Sequence, residues 1–354
     1  MNPERILLIQ LRRIGDVLFT LPVIRALREN LPHARIDFLV ERPADQLVRL
    51  NPHIGETLVY DKARPLFWLR EIRRRRYDWV LDFHANGRTL LLTLCSGARL
   101  RAGFAGPLTR RLAYTHRIQP EGGTYIVEQK LGVLRSLGLN VGAWSWDLRV
   151  PAEEKRWADG FLHDSGVDGG QRRLVGFAPA SRRETRRWRP ARFAQTAAAL
   201  LRRGRDVLIL WGPGEKELVE DIVRQARTDG SAQDLGGRIV IPPAASLLRL
   251  AALIARCDVL LSVENGPKNL AVALGIPTVN IVGPNNARSF NPSGDASHVV
   301  VRDEALSCLG CELNRCPTRH ECLDNITVDR VLGEIEQLLA APAGRIPLQP
   351  AQGA

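Results

Sequence analysis

Lysine is nearly missing from this chain. Of 50 basic residues among 354, only Lys62, Lys130, Lys155, Lys216 and Lys268 are lysine, and the rest are arginine. Against 38 acidic residues this leaves a formal net charge of +12, carried almost wholly by guanidinium groups. Guanidinium grips phosphate and carboxylate bidentately, so an anionic partner accounts for the surplus, as does a plain compositional bias toward arginine. No apolar run approaches the roughly 18 residues that span a bilayer. There is no charged-then-apolar leader either, because Glu4 and Arg5 pass directly into a strand-like run. The expectation is a cytoplasmic protein. No solenoid period repeats along the chain. Its basic stretches are not interleaved with aromatics and match no reading motif for DNA or RNA, so nucleic acid is not an expected partner.

Cysteine is sparse but clustered. Cys308, Cys311, Cys316 and Cys322 form C-x2-C-x4-C-x5-C, a spacing that fits a structural zinc or iron–sulfur site as well as reduced or loop-pairing thiols. Cys95 and Cys257 lie among apolar residues and are expected in the core.

Strand-like runs alternate with helical patterns from end to end. Residues 5–10, 35–40, 57–60 and 78–83 read as strands separated by helices near 16–29, 43–50 and 65–75. The pattern loosens around 140–172, then resumes with strands at 173–178, 206–211, 258–263 and 277–282. This βα rhythm predicts α/β architecture with parallel, doubly wound sheets. The domains are assigned as 1–160 and 161–340, with an Ala/Pro/Gly-rich loose tail at 341–354.

In open parallel sheets ligands bind beyond the carboxyl ends of strands, so the turns after each strand are where chemistry is expected. After the first strand come Arg12, Arg13, Ile14, Gly15 and Asp16, where Asp16 reads as a helix cap or as a general base flanked by arginines. After the strand at 173–178 come Ser181, Arg182, Arg183, Arg186 and Arg187 ahead of a helix. Hydroxyl, cations and helix amides together suit a phosphate, though a solvated basic loop has the same composition. Gly212-Pro213-Gly214-Glu215 lacks the third glycine of a dinucleotide fingerprint; Glu215 reads as a ribose ligand or as a helix-start carboxylate. Glu264, Asn265 and Gly266 end a strand and open the next helix. A carboxylate there accepts hydrogen bonds from hydroxyls, so the set suggests a ligand bearing both hydroxyls and phosphates, such as a nucleotide sugar. Arg70 and Arg73–Arg76, close to Phe67 and Trp68, suit anionic headgroups or form a solvated helix face.

Five blocks, "LRRIGDVLFTLPVIRALRENLP", "YDWVLDFHANGRTLLLTLCSGARLRAGFAG", "SRRETRRWRPARFA", "ENGPKNLAVALGIPTVNIVGP" and the terminal cysteine group, occur in an order that resembles glycosyltransferase family 9, the heptosyltransferases of lipopolysaccharide core assembly. The resemblance runs from about residue 4 to 336. It implies a GT-B fold: two Rossmann-like doubly wound domains facing across a cleft, the first taking the acceptor and the second ADP-heptose, with the last helix packing back on the first. It also implies inverting transfer of heptose or a related sugar to a lipid A–Kdo acceptor, with Asp16 as base.

Residue by residue, the resemblance gives Ser181, Arg186, Arg187, Glu215, Glu264, Asn265, Gly266, Lys268 and Asn269 to the donor, and Arg12, Arg13, Asn86 and Arg88 to the acceptor. Arg186 stands where the family usually has lysine. The family's usual Asp, small polar residue, Gly, two residues, His is here Glu264, Asn265, Gly266 and Asn269. That departure leaves open a different nucleotide sugar or a degenerate nucleotide-sugar-binding protein, and leaves Lys268 for a phosphate contact. No Asp-x-Asp motif is present, so no cofactor is required on this reading, with a divalent cation at most stimulatory. Peripheral contact with the inner face of the cytoplasmic membrane follows from such an acceptor.

Overall fold

A computed structural model describes residues 3–119, 123–167, 172–229, 236–292 and 294–341. Two compact units divide the chain between Arg149 and Val150.

The first unit holds a six-stranded parallel sheet of β1 (Arg5–Ile9), β2 (Arg35–Val40), β3 (Glu56–Val59), β4 (Trp79–Asp82), β5 (Leu100–Phe104) and β6 (His116–Ile118). Their order is β3-β2-β1-β4-β5-β6. β1 and β2 are near-continuous aliphatic runs because helices cover both faces of the sheet, and almost every side chain in them is buried. The second unit repeats the plan with β7 (Leu174–Ala178), β8 (Asp206–Ile209), β9 (Ile239–Val240), β10 (Val259–Val263), β11 (Thr278–Ile281) and β12 (His298–Val301). Their order, β12-β11-β10-β7-β8-β9, is the same arrangement read from the other edge. In each sheet the first and fourth strands are neighbours whose connections leave in opposite directions. A crevice therefore opens beyond the carboxyl ends of β1 and β4, and another beyond those of β7 and β10.

Two expectations are corrected. Residues 150–160, assigned by pattern to the first domain, fall in the second unit. The helix Ala152–Asp164 packs against Leu247–Ile254, with the Arg249 guanidinium 4.6 Å over the Trp157 ring and its Nε 3.1 Å from Glu154. The last helix is Val328–Ala340. Its stripe Val331, Leu332, Ile335 and Leu339 joins the core of the second unit, against β10, β11 and the helix Pro190–Arg202. Trp68, read as part of a surface patch, is buried, its ring tilted against that of Tyr60 with centroids 5.7 Å apart. Of the expected tail at 341–354, all but Ala341 lies outside the described residues.

Candidate active site

In the first crevice the turn after β1 brings Arg12 and Arg13 to the surface and begins the short helix Ile14–Leu18. Arg13 holds φ at 67°, a left-handed conformation that costs a non-glycine residue of order 1 kcal/mol, and the turn it makes sets the direction of Asp16. No side chain caps this helix, so Asp16 is not spent as a cap. Burial raises the Asp16 pKa, while the positive charges of Lys130 and Arg13 pull it back.

Lys130 went unnoticed in the sequence as a site residue. It rises from the helix Ile126–Ser136, is fully buried, and donates to Gln10 Oε1 at 2.9 Å, Thr20 Oγ1 at 2.7 Å and the Asp16 carbonyl at 3.1 Å. Its ammonium also lies 5.1 Å from the centre of the Phe83 ring. Burial brings its pKa down to about 8, against the opposing pull of Asp16 and Asp82. A signal was present: one of five lysines falls in the stripe of Val127, Leu131 and Leu134, all of them buried.

Across the crevice, the turn after β4 is organised by Asp82. Its carboxylate accepts from the amides of His84 and Ala85, both at 3.0 Å, and from the Tyr114 hydroxyl at 2.9 Å. Burial raises its pKa. His84 Nδ1 accepts from the Gln10 amide at 3.1 Å, and burial followed by the Arg12 charge lowers the imidazole pKa to about 4. At neutral pH this ring is therefore uncharged.

The two expected acceptor residues on this side have structural partners. Asn86 caps the helix Gly87–Cys95 in a capping box with Thr89. Arg88 reaches Glu41 at 3.3 Å and lies 5.9 Å over the Tyr60 ring.

The second crevice is closed at its base by Asn265. Its Oδ1 caps the helix Gly266–Ala273 on the Lys268 amide at 2.9 Å, while its Nδ2 donates to the carbonyls of Ala178 at 2.8 Å and Ala180 at 3.0 Å. One side chain thus ties the end of β7 to the end of β10. Ser181 adds a second tie through its hydroxyl to the Glu264 carbonyl at 3.3 Å, and the Ser181 carbonyl accepts from Arg187 Nε at 2.6 Å. Asn265→Ala removes a cap and two further bonds. It is expected to destabilise the second unit by about 2 kcal/mol, read as a lower urea midpoint, and to weaken nucleotide binding alongside.

Glu264 and Lys268 are arranged differently from expectation. The Glu264 carboxylate accepts from Asn280 and from Asn291 Nδ2 at 3.3 Å, and sits 3.7 Å from the Lys268 ammonium. Lys268, expected at a phosphate, is fully buried and donates to the Phe290 carbonyl. Burial lowers its pKa and Glu264 opposes the shift. Glu215 accepts from the Gly212 amide at 2.8 Å, bracing its own loop. Arg187 and Trp188, with Pro179 and Glu184, border a cavity of about 320 Å³ beside the 179–187 turn.

Polar atoms near this crevice remain unsatisfied. Asn269 Oδ1 and both side-chain polar atoms of Asn285 are buried with no hydrogen-bond partner among the described residues. Asn285 follows β11, next to β10, and was not singled out in the sequence. A buried polar atom left unpaired costs about 1–3 kcal/mol, and such a cost is recovered when a ligand supplies the partner.

The four clustered cysteines all border one cavity of about 50 Å³. Among the described residues, however, no group of three or more His, Cys, Asp or Glu side chains is arranged to hold a metal ion. Cys322 is buried, while Cys308 and Cys311 are exposed.

The model of glycosyltransferase family 9 (heptosyltransferase) matches residues 67–319, well over half of the sequence. The chain belongs to glycosyltransferase family 9. It is a glycosyltransferase, with the GT-B fold of two Rossmann-like units. This family-9 chain is 26% identical to lipopolysaccharide heptosyltransferase 3 of Escherichia coli (strain K12), over 94% of its own length and 97% of the relative's. Among solved structures, a glycosyltransferase family 9 protein from Veillonella parvula superposes with a TM-score of 0.80 at 24% identity, covering 96% of this chain and 98% of that one. The E. coli ADP-heptose lps heptosyltransferase II gives 0.75 at 22%, covering 95% and 98%. Among the described residues no helix is long and apolar enough to cross a membrane.

Proposed function

We propose that this family-9 enzyme transfers heptose from ADP-heptose to a lipopolysaccharide inner-core acceptor with inversion. The observation that carries the reading is Asp16, a carboxylate freed from capping, half-buried at a sheet crevice and kept beside a buried cation. Asp16 takes the proton from an acceptor hydroxyl as that oxygen bonds to the anomeric carbon from the face opposite the nucleotide. The bond from that carbon to the phosphate oxygen breaks, and ADP departs with its electron pair. Arg12, Arg13 and Arg88 suit an acceptor bearing carboxylates and phosphates.

The nucleotide sugar is assigned to the second unit. There the amides at the start of Gly266–Ala273, with Ser181, Arg186 and Arg187, favour the diphosphate, and Asn269 and Asn285 gain the partners they lack. Glu264 and Lys268 then act from beneath, fixing the floor of the pocket. The reaction needs no cofactor on this reading. The relatives' printed names, lipopolysaccharide heptosyltransferase 3 and ADP-heptose lps heptosyltransferase II, support the donor and acceptor classes. Such an acceptor places the enzyme in the cytoplasm, peripheral to the inner face of the membrane.

Calorimetric titration with ADP, UDP, GDP and CDP tests the donor. ADP is expected to bind most tightly, with the preference lost in the double variant Ser181→Ala, Arg186→Ala. Tighter binding of UDP or GDP would retain sugar transfer and overturn heptose as the donor sugar. Failure of all four to bind would overturn transfer itself.

A further inference from the structure

Large apolar side chains left in water are concentrated in one place. Among the described residues eight are exposed, and six of them, Leu66, Phe67, Leu91, Leu94, Leu108 and Leu112, lie on three helices of the first unit. These are Pro65–Arg74, Gly87–Cys95 and Leu108–Ala113, the middle one packing against both others. Leu66, Leu108 and Leu112 are 68%, 69% and 67% exposed. Leu91 and Leu94 lie three apart on the middle helix, and Leu108 and Leu112 four apart on the next, so each pair shares an outward face.

The same helices are strongly cationic. They carry Arg70, Arg73, Arg74, Arg88, Arg110 and Arg111 against the single acid Glu71. Glu71 is held by Arg74 and Arg75 at 2.8 Å, so its charge is spent on those two and offsets only one of the arginines. Arg64 lies 4.4 Å over the Phe67 ring. Arg110 is latched onto the Ala105 carbonyl at 3.0 Å, which leaves exposed Arg111, Arg70 and Arg73 around the apolar side chains.

We propose that this three-helix surface docks on an anionic lipid bilayer, the leucines entering the headgroup boundary and the arginines meeting lipid phosphates. Exposed leucine ringed by arginine matches that boundary on both counts. A second copy of the chain would set this positive surface against its own like. An acidic protein would satisfy the charges but has no evident use for leucines spread over three helices. Leu66 and Leu108 start helices that follow β3 and β5, so they lie at the carboxyl edge of the sheet, the edge where Asp16 and Asn86 also emerge. Docking there would bring the bilayer to the crevice. Its value to catalysis rests on the lipid-linked acceptor proposed above, whereas the docking itself does not.

The test is co-sedimentation of the full chain with phosphatidylethanolamine vesicles made with and without a quarter phosphatidylglycerol. Wild type is expected to bind only the anionic vesicles. Arg70→Gln with Arg111→Gln should lower the partition coefficient roughly 25-fold, at about fivefold per charge, and Leu108→Gln with Leu112→Gln by about tenfold or more. Both double variants alter exposed side chains, so they should keep the wild-type thermal midpoint and turnover of a deacylated, water-soluble acceptor. Binding that is absent, equal on both vesicles, or unchanged in both variants overturns the proposal. So does self-association in light scattering that the leucine variant abolishes, which would assign the surface to a second copy. Vesicle binding without turnover on any acceptor would instead count against the heptosyltransferase reading and leave the docking surface standing.

Discussion

Asp16→Asn is expected to lower turnover about 10³-fold while leaving ADP affinity within a factor of two. The substitution preserves size and the backbone bonds of the turn. The Asp16 carbonyl, which accepts from Lys130 and from Thr20 Oγ1 at 2.8 Å, is untouched. What is lost is the basic oxygen, and a positioned general base contributes 10²–10⁴-fold. The nucleotide is assigned to the other unit, so its affinity should not register the change. Single-turnover kinetics beside ADP calorimetry separates the two quantities. Retention of more than a tenth of the wild-type rate would remove Asp16 from the role of base.

Lys130→Met is expected to move the acid limb of the rate–pH profile to higher pH. The Lys130 charge holds the Asp16 pKa down against burial, so removing it lets that pKa rise further. As the proposed base, Asp16 acts only when deprotonated. The variant therefore loses activity at a higher pH than wild type and recovers much of the gap on the alkaline plateau. A loss that is uniform with pH would mean that Lys130 only props up the turn.

The same lysine predicts a stability signature. Its folded pKa, about 8, lies below the 10.5 of an unperturbed lysine, so between these values the unfolded chain binds the extra proton. Wild-type stability should therefore fall as pH drops from 10 through 8, and the methionine variant should lack that share of the slope.

The strands that carry the two crevices were legible because they are buried on both faces. RILLI and VLLSV read as strands with no knowledge of their partners. β5 and β6 were not assigned, since LRAGF mixes arginine and glycine into its run and HRI is three residues long. Their strand character comes from pairing, β5 between β4 and β6 and β6 at the edge, which no local pattern encodes.

The turns after β1, β7 and β10 were also legible, because chemistry follows strand ends. The direction of each side chain was not. Lys268 sits after Gly266-Pro267 at a helix start, a place that usually faces water. Its burial depends on Glu264, Phe290 and the Asn280–Asn291 pair, which only the folded sheet brings together. Asn265 reads as a cap, and its bonds to Ala178 and Ala180 span 87 and 85 residues of sequence. The cysteine spacing was plain, but spacing carries no information about which thiols point inward. Trp68 differs for a simpler reason: on an arginine-rich helix it faces the core together with Ile72.

The scarcity of lysine acquires a chemical meaning once two of the five are seen to be sealed inside. Lys130 and Lys268 have no exposed surface to speak of, whereas Lys62, Lys155 and Lys216 stand in solvent. An acylating or aldehyde reagent in water therefore meets only three side-chain amines. The depressed pKa of Lys130 would make it a strong nucleophile were it reachable, and its enclosure is what keeps it inert. Immobilising or labelling this protein through its amines should thus leave Lys130 and Lys268 untouched, a selectivity built in by which cations the fold hides.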